Sequence, residues 1–310
     1  MSKHPTIPDT NTDNTQEGLL IAHFGQYLIV EDQQGVFHNC AARKKLGSLV
    51  TGDRVLWQSL PDNAGVITAL LPRKSVITRF NKKLKQKPII ANVEQLIIVV
   101  GLKPSISQTT IDRYLIIAEY FNLKPILVVN KWDLAKEPEF TANLDYINQY
   151  QSVVDSIVHV STKSGFGLDD LLLSMQNKTT LFAGQSGVGK SSLISHFIPN
   201  LKLQTNELSK NGNLGKHTTS ASQLYHLPEG GDVIDSPGIR QFYLTHLDKA
   251  AIQEGFPEFK SFTEQCQFRN CQHLHEPVCG IHQAIEKGLV QQFRLDNFHA
   301  LLAEHEEENR

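Results

Sequence analysis

"TTLFAGQSGVGKSSLISHFI" occupies residues 179–198 and carries the densest signal in the chain. It passes from an apolar strand-like run through G-x-x-x-x-G-K-S (Gly184–Ser191) into a helix-like stretch, the strand–loop–helix context in which such a loop holds phosphates. Backbone amides and the helix N-terminus face the anion there, Lys190 reaches the β- and γ-phosphates, and the Ser191 hydroxyl ligates Mg²⁺. The expected nucleotide-binding residues of this loop are Gly184, Gln185, Ser186, Gly187, Val188, Gly189, Lys190, Ser191 and Ser192.

A phosphate loop does not choose between adenine and guanine. "NKWD" (130–133), at the end of the apolar run "PILVVN" (125–130), makes that choice. The Asp133 carboxylate can accept from guanine N1–H and the exocyclic amine, whereas adenine lacks both donors and would leave a desolvated carboxylate unpaired. Asn130 is expected to tie this loop to the phosphate loop, and the stem of Lys131 to cover the base. "STKS" (161–164) fits a second base loop in which Ser161, Thr162 and Lys163 offer backbone amides to guanine O6. "DSPG" (235–238) fits a γ-phosphate switch, with Asp235 holding Mg²⁺ through water and the Gly238 amide sensing the phosphate. In the Gly- and polar-rich "NGNLGKHTTS" (211–220), Thr218 or Thr219 supplies a hydroxyl to Mg²⁺, and Thr219 is preferred. Lys190, Thr219 and His217 are the expected catalytic residues. His217 enters because Ile239 follows Gly238, where many such enzymes carry a Gln that orients the attacking water. Either hydrolysis is intrinsically slow or another group, His217, positions the water; the competing reading is a loop histidine with no catalytic role.

These elements occur in the order NKWD, STKS, phosphate loop, HTT, DSPG, with the base readers ahead of the phosphate reader. A circular permutation explains this, because the termini of a compact α/β domain lie close enough to be joined while the chain is opened elsewhere. The switch segment then ends the nucleotide domain and runs directly into the C-terminal segment, so nucleotide state can be transmitted to that segment as a change of position.

The surrounding pattern agrees with an α/β domain. Apolar runs at 95–100, 125–130, 156–161 and 179–184 alternate with helix-like stretches around 109–122, 141–150 and 168–175, predicting a mainly parallel sheet covered on both faces. Further strands are expected at 222–228 and 231–236. Ahead of this, residues 18–72 show short β-rich runs at turn-separated spacing, which fits a small five-stranded barrel of the oligonucleotide-binding kind or an SH3-like barrel. Residues 1–17 read as a flexible polar tail. Between barrel and sheet, "RKSVITRFNKKLKQK" (73–87) contains Arg73, Lys74, Arg79, Lys82, Lys83, Lys85 and Lys87 and no acidic residue; it is a solvated linker or, beside a barrel, a contact for the phosphate backbone of RNA. The expected division is tail 1–17, barrel 18–72, linker and permuted nucleotide domain 73–245, and a helix-rich metal domain 246–310, whose acidic end reads as a solvated helix terminus.

Within that last segment, "CQFRNCQHLHEPVC" sets out Cys266, Cys271, His273 and Cys279, four ligands suited to a closed, tetrahedral, structural Zn²⁺ site. His275 and His282 are fallback ligands, and the alternative is three free thiols beside a surface histidine. The remaining cysteine, Cys40, reads as a small buried residue. The clustering of three of the four cysteines points to metal ligation in a reducing compartment, hence the cytoplasm, rather than to disulfides. No apolar run approaches the roughly 18 residues that span a bilayer, and the start lacks the apolar core of a secretory signal. The formal net charge of −2 gives no global case for a nucleic-acid or membrane partner, so any such contact has to be local.

In the order barrel, "NKWD", "GQSGVGKSS", "GKHTT", "DSPGIR" and the Cys/His cluster, residues 18–300 resemble the circularly permuted, small-subunit-dependent GTPases of the RsgA or YjeQ family. The resemblance implies an oligonucleotide-binding barrel, a permuted GTPase domain and a zinc domain. It further implies a cytoplasmic, monomeric enzyme with one structural Zn²⁺ and Mg²⁺·GTP, which binds the small ribosomal subunit (30S) and its rRNA late in assembly, its GTP/GDP state governing binding and release. Many relatives begin with a basic tail; this chain begins polar, which shifts RNA contact to Arg73–Lys87, the barrel and the zinc domain. Two rival readings are a GTP-regulated RNA-binding module with little catalysis and a GTPase acting on another RNA–protein assembly.

Overall fold

Every residue of the strand β8 (Gln95–Gly101) is buried, because the sheet around it is covered on both faces. Its odd and even positions divide between two cores. Leu96, Ile98 and Val100 meet the helices α1 (Thr110–Tyr120) and α2 (Thr141–Asn148), whereas Ile97 and Val99 meet α3 (Leu168–Met175) and α4 (Lys190–Phe197). Beside β8 lie β9 (Lys124–Asn130), β10 (Ser156–His159), β11 (Thr179–Ala183), β12 (Gln223–His226) and β13 (Asp232–Asp235), in the order β10-β9-β8-β11-β13-β12. All pairs are parallel except the last, β13–β12. The structure, a computed structural model, describes residues 15–24, 27–80, 86–104, 109–198, 222–236, 244 and 247–308. Thus His217, Thr218, Thr219, Gly238, Ile239, Lys82, Lys83, Lys85 and residues 1–14 lie outside the described residues.

The N-terminal strands β1 (Thr15–Phe24), β2 (Tyr27–Glu31), β3 (Phe37–Ala42), β4 (Arg54–Leu60) and β5 (Ala64–Leu70) form a ring in the order β1-β2-β3-β5-β4, closed by a β1–β4 pairing. The parallel β3–β5 pair within an otherwise antiparallel ring is the oligonucleotide-binding arrangement rather than the SH3-like one. Trp57 fills the barrel and is fully buried. Two glycines make room for it: a Cβ on Gly18 would lie 2.8 Å from its indole nitrogen, and one on Gly65 would lie 2.6 Å from its ring. Cys40 packs there as expected, its thiol pushed up to about 12 by burial. The barrel begins earlier than the sequence suggested, since Thr15–Glu17, assigned to the tail, pair with Leu56–Gln58 of β4.

The described residues of the cationic segment 73–87 do not form a solvated linker. They enter a two-stranded hairpin of β6 (Val76–Phe80) and β7 (Gln86–Ala91), whose Ile77 and Ile90 are fully buried in the core shared with the sheet. Arg73 is not available to RNA either. Its guanidinium grips the fully buried Asp53 in two hydrogen bonds of 2.7 and 2.8 Å and donates to the Ser48 carbonyl, a bidentate pairing whose dissolution would strand a buried carboxylate.

The C-terminal region has α5 (Lys249–Glu254), α6 (Lys260–Thr263), α7 (Gly280–Glu286) and α8 (Gln292–Glu308) around Phe256, Phe259 and Phe298. It docks on α1. A Cβ on Gly255 would lie 2.3 Å from Ile116, so the backbones approach closely. Beside them Asp112 of α1, fully buried, accepts from Arg294 and Asn297 of α8 and from the Tyr150 hydroxyl at 3.0 Å. Arg294 also donates to Glu258 at 2.5 Å and lies 4.3 Å from the centre of the Phe256 ring. The acidic C-terminal turn is also not merely solvated, because Glu304 pairs with Arg113 and Glu306 with Lys249 at 2.5 Å each. Among the described residues no helix is long and apolar enough to cross a membrane.

Among the described residues, the strand pairing between barrel and sheet is one antiparallel register position, Ala22 of β1 opposite Gln223 of β12. Next to it His226 of β12 lies between two carboxylates, at 2.6 Å from Asp232 and 2.5 Å from Glu31 of the barrel. Hydrogen bonds to Asp232 and Glu31 push the imidazole up to about 10 from its ordinary 6.5. A raised histidine stabilises the fold fully below the unfolded value and loses that contribution as pH rises through the folded one. The stability advantage of the wild type over His226→Gln, read from urea unfolding, is therefore expected to be full below pH 6.5 and to shrink as pH rises towards 10, by about 1 kcal/mol or less because the pair is half-exposed. A constant difference across that window would remove the imidazolium from the joint.

Candidate functional site

The parallel order places the C-terminal ends of β9, β10, β11 and β13 along one edge of the sheet, where ligands of open α/β sheets bind. The loop after β9 is Asn130–Asp133, that after β10 is Ser161–Ser164, that after β11 is Gly184–Gly189, and Asp235 ends β13. Motifs as far apart in sequence as Asn130 and Asp235 thus meet on one rim.

In the Gly184–Ser191 loop, Gly189 has φ +101° and a Cβ there would come within 2.2 Å of the Asn130 amide. Only glycine allows both that conformation and that approach. Asn130, almost fully buried, donates from Nδ2 to the Val188 carbonyl at 2.9 Å, and its Oδ1 accepts from the Lys131 amide at 2.8 Å. This is the tie expected from sequence. Lys131 takes a left-handed conformation, φ 63°, and its ammonium donates to the carbonyls of Lys103 at 2.6 Å and Gly187 at 2.9 Å. Its stem therefore crosses from the base loop to the phosphate loop. Lys190, at the first turn of α4, is buried and donates to the carbonyls of Gly184 at 2.6 Å and Gln185 at 2.5 Å, while Ser191 and Ser192 are exposed on that turn. The turn combines outward backbone donors, a helix N-terminus and a lysine, a combination suited to a polyphosphate.

Asp133 is the partner of Ser161. The fully buried Ser161 donates its hydroxyl to Asp133 Oδ1 at 2.7 Å, and the exposed Lys163 ammonium lies 3.7 Å from Oδ2. The Ser161 hydrogen bond, assisted by Lys163, holds the Asp133 carboxyl below its ordinary value, so it is an acceptor at neutral pH. Thr162 lies in the turn closed by the bond from the Gly165 amide to the Ser161 carbonyl at 2.9 Å. Trp132 stacks with Phe166 at 6.5 Å and tilts on His159 at 4.0 Å, which fixes one base loop against the other.

The sequence pattern of the RsgA GTPase family matches residues 70–245. The small ribosomal subunit biogenesis GTPase RsgA of Hahella chejuensis is 43% identical over 287 residues, which cover 91% of this chain and 82% of that protein. The chain belongs to the RsgA GTPase family. Among solved structures, YjeQ from Thermotoga maritima matches with a TM-score of 0.76 at 31% identity, covering 94% of this chain and 98% of that one. YloQ, described as a circularly permuted GTPase, matches with a TM-score of 0.75 at 27% identity, covering 98% and 99%. As a member of the RsgA family the chain is a GTP-hydrolysing enzyme, and its sheet is a circularly permuted P-loop domain behind an N-terminal barrel.

The ligand atoms of Cys266, Cys271, His273 and Cys279 lie within 4.8 Å of one another. His273 Nδ1 faces the thiols, 3.3 Å from Cys279 Sγ and 3.7 Å from Cys266 Sγ, and the Gly280 amide donates to Cys266 Sγ at 3.3 Å. Burial lowers the His273 pKa, favouring the neutral imidazole that a metal needs, and raises that of the Cys279 thiol. This RsgA-family cluster is compatible with zinc. His282 is a brace rather than a ligand, with its ring nitrogen 2.9 Å from the His273 carbonyl oxygen, and His275 is exposed.

Several supports of the site carried no sequence signal. The Lys103 carbonyl holds Lys131, and Gln185 reaches from the phosphate loop to the Thr110 hydroxyl at 3.0 Å. The hydroxyl of Ser161, expected only to present its backbone, orients the carboxylate. Ser161→Ala is accordingly expected to weaken GTP binding about tenfold with ATP binding unchanged, from the loss of one hydrogen bond to a charged group. Titration with fluorescent nucleotides measures this, and an unchanged GTP affinity would show that Asp133 is oriented without Ser161.

Proposed function

We propose that the chain hydrolyses GTP at the C-terminal edge of its permuted sheet and, as a GTPase of small ribosomal subunit biogenesis, times release from maturing 30S particles. The observation that carries this reading is the Asn130–Val188 hydrogen bond, which fixes the base loop and the phosphate loop at one distance. In this reading Asp133 accepts from the guanine N1–H and amine. Thr162 and Lys163 present amides to O6, whereas the Ser161 amide, expected from sequence to do the same, donates to the Phe166 carbonyl at 2.9 Å, and Lys131 lies along the base.

Phosphoryl transfer from GTP needs positioning and charge neutralisation more than covalent chemistry. The amides of Gly184, Gln185, Ser186, Gly187, Val188, Gly189 and Ser192 are assigned to the phosphates, with the Lys190 ammonium at the β- and γ-groups and the Gly238 amide as γ-sensor. Ser191, Thr219 and Asp235 would hold Mg²⁺, which when bound would neutralise negative charge on the phosphates. A water, positioned by His217, attacks the γ-phosphorus as the bond to the β–γ bridging oxygen breaks, giving GDP and phosphate. Cys266, Cys271, His273 and Cys279 would hold one structural Zn²⁺, which when bound cross-links the loop between α6 and α7. The partners are the small subunit and its rRNA; the enzyme works in the cytoplasm as a monomer. The division into tail, barrel, permuted domain and zinc domain, near residues 17, 72 and 245, belongs to the same proposal.

GTP turnover by the purified protein is expected to rise with small subunits and not with large subunits or bulk RNA. Lys190→Ala should lose at least about 100-fold in rate, the scale of one transition-state donor. Stimulation by another RNA–protein assembly would redirect the partner, and turnover indifferent to every particle would favour a GTP-regulated binding module. Elemental analysis should find one zinc per chain, and its removal by a chelator should lower the melting temperature. A folded, metal-free chain with unaltered melting would sink the zinc site.

A further inference from the structure

The helix α1 touches the nucleotide site at its first residue and the C-terminal region along its body. The Thr110 hydroxyl accepts from Gln185 Nε2 of the phosphate loop at 3.0 Å. Two residues on, the fully buried Asp112 accepts from Arg294 and Asn297 of α8. Arg113 then pairs with Glu304 of α8 at 2.5 Å, and Ile116 lies against the Gly255 backbone. We infer that Thr110 is a positioning residue of the phosphate loop and that, through α1, docking of the C-terminal region sets how firmly this loop holds a nucleotide. The inference rests on the assignment of Gly184–Ser191 to the phosphates.

The phosphate loop is tied down at two places. Its later half is held to the base loop, where Asn130 donates to the Val188 carbonyl and Lys131 to that of Gly187. Its beginning is held to α1 by Gln185 alone among the described side-chain bonds of that residue. Gln185 also uses its backbone, because its carbonyl and that of Gly184 accept from the Lys190 ammonium. To reach a phosphate, the ammonium has to leave both carbonyls. A loop free to follow the lysine would lose the shape that its glycines give it, and the tether to Thr110 resists that movement.

The tether responds to the C-terminal region because Thr110 and Asp112 lie within one helical turn and move together. Asp112 cannot shift against α8 without losing Arg294 and Asn297, and a buried carboxylate left without its partners is strongly unfavourable. The place of Thr110, and with it that of Gln185, is therefore fixed by where α8 sits. Any ligand of the C-terminal region that shifts it on α1 alters the phosphate loop. Linkage makes the effect reciprocal, so a nucleotide that tightens the loop stabilises the docking of α8 by the same factor. This route runs through α1 and is separate from the switch segment that follows Asp235.

The test combines GDP affinity, from titration with a fluorescent analogue, with hydrogen exchange of α8 in the full-length protein. Thr110→Val keeps the side-chain shape and removes the acceptor, so GDP binding is expected to weaken about fivefold, the scale of one net hydrogen bond. Thr110→Ser should restore it. GDP should slow exchange across Gln292–Glu308 in the wild type, and in Thr110→Val saturated with GDP that slowing should be largely lost, which a purely local role of the hydroxyl would not produce. Asn297→Ala should weaken GDP binding as Thr110→Val does, and the double variant should lose no more than either alone, because both cut one connection. Should Asn297→Ala fail to fold, the exchange pattern of Thr110→Val decides alone. Undiminished slowing in saturated Thr110→Val, no slowing in the wild type, or losses that multiply in the double variant overturns the inference. Unchanged GDP affinity in Thr110→Val also overturns it where Lys190→Ala weakens binding; if neither substitution has an effect, the phosphate assignment itself falls.

Discussion

The parallel pairing of β8 with β9 on one side and β11 on the other is the constraint on which the site depends. It puts the base loop and the phosphate loop on either side of one buried strand end. Gly101 at that end leaves room for the chain to turn back on itself, since a Cβ would lie 3.0 Å from the Lys103 carbonyl oxygen. The Asn130 amide closes the remaining gap. None of these contacts depends on which loop the chain makes first, which is why a permuted order preserves the geometry.

The second joint is the buried group around Asp112. Taking a carboxylate and a guanidinium out of water costs several kcal/mol per ion before pairing offsets it, so this group is poor evidence of added stability. Its effect is on register. Any other docking of α8 on α1 leaves Asp112 buried without Arg294 and Asn297, and breaking such a pair costs about 3–5 kcal/mol. The Cys/His region is thus held to the nucleotide domain by one geometry rather than by general apolar adhesion.

The strands and loops of the nucleotide domain were legible because their signals are local: continuous apolar runs, glycines at fixed offsets, and NKWD at a strand end. The Cys/His cluster was legible from density alone. The features that escaped the sequence depend on partners far along the chain. Arg73 looked free because the run around it has no acid, yet Asp53 lies twenty residues away on the barrel. Asp112 and Arg294 are separated by 182 positions and neither belongs to a motif. The hairpin was hidden because its lysines and glutamines read as solvent-facing, while Ile77, Ile90 and Ala91 mark its buried side. Ser161 fell between these cases: its position was legible, but the use of its hydroxyl required the distance to Asp133.

The permuted order also sets a timetable for synthesis. Asn130 leaves the translating ribosome 61 residues before Ser191, an interval of roughly 3–12 s at about 5–20 residues per second. During that interval β8 can pair with β9, but the flank that will receive β11 is an open edge of a nearly continuous apolar strand, the kind of edge that recruits other chains. The nascent base reader cannot close on a nucleotide until the phosphate loop is made. Shielding of that temporary edge, by the barrel already synthesised or by a chaperone, is therefore a demand that the permutation places on biogenesis of this protein itself.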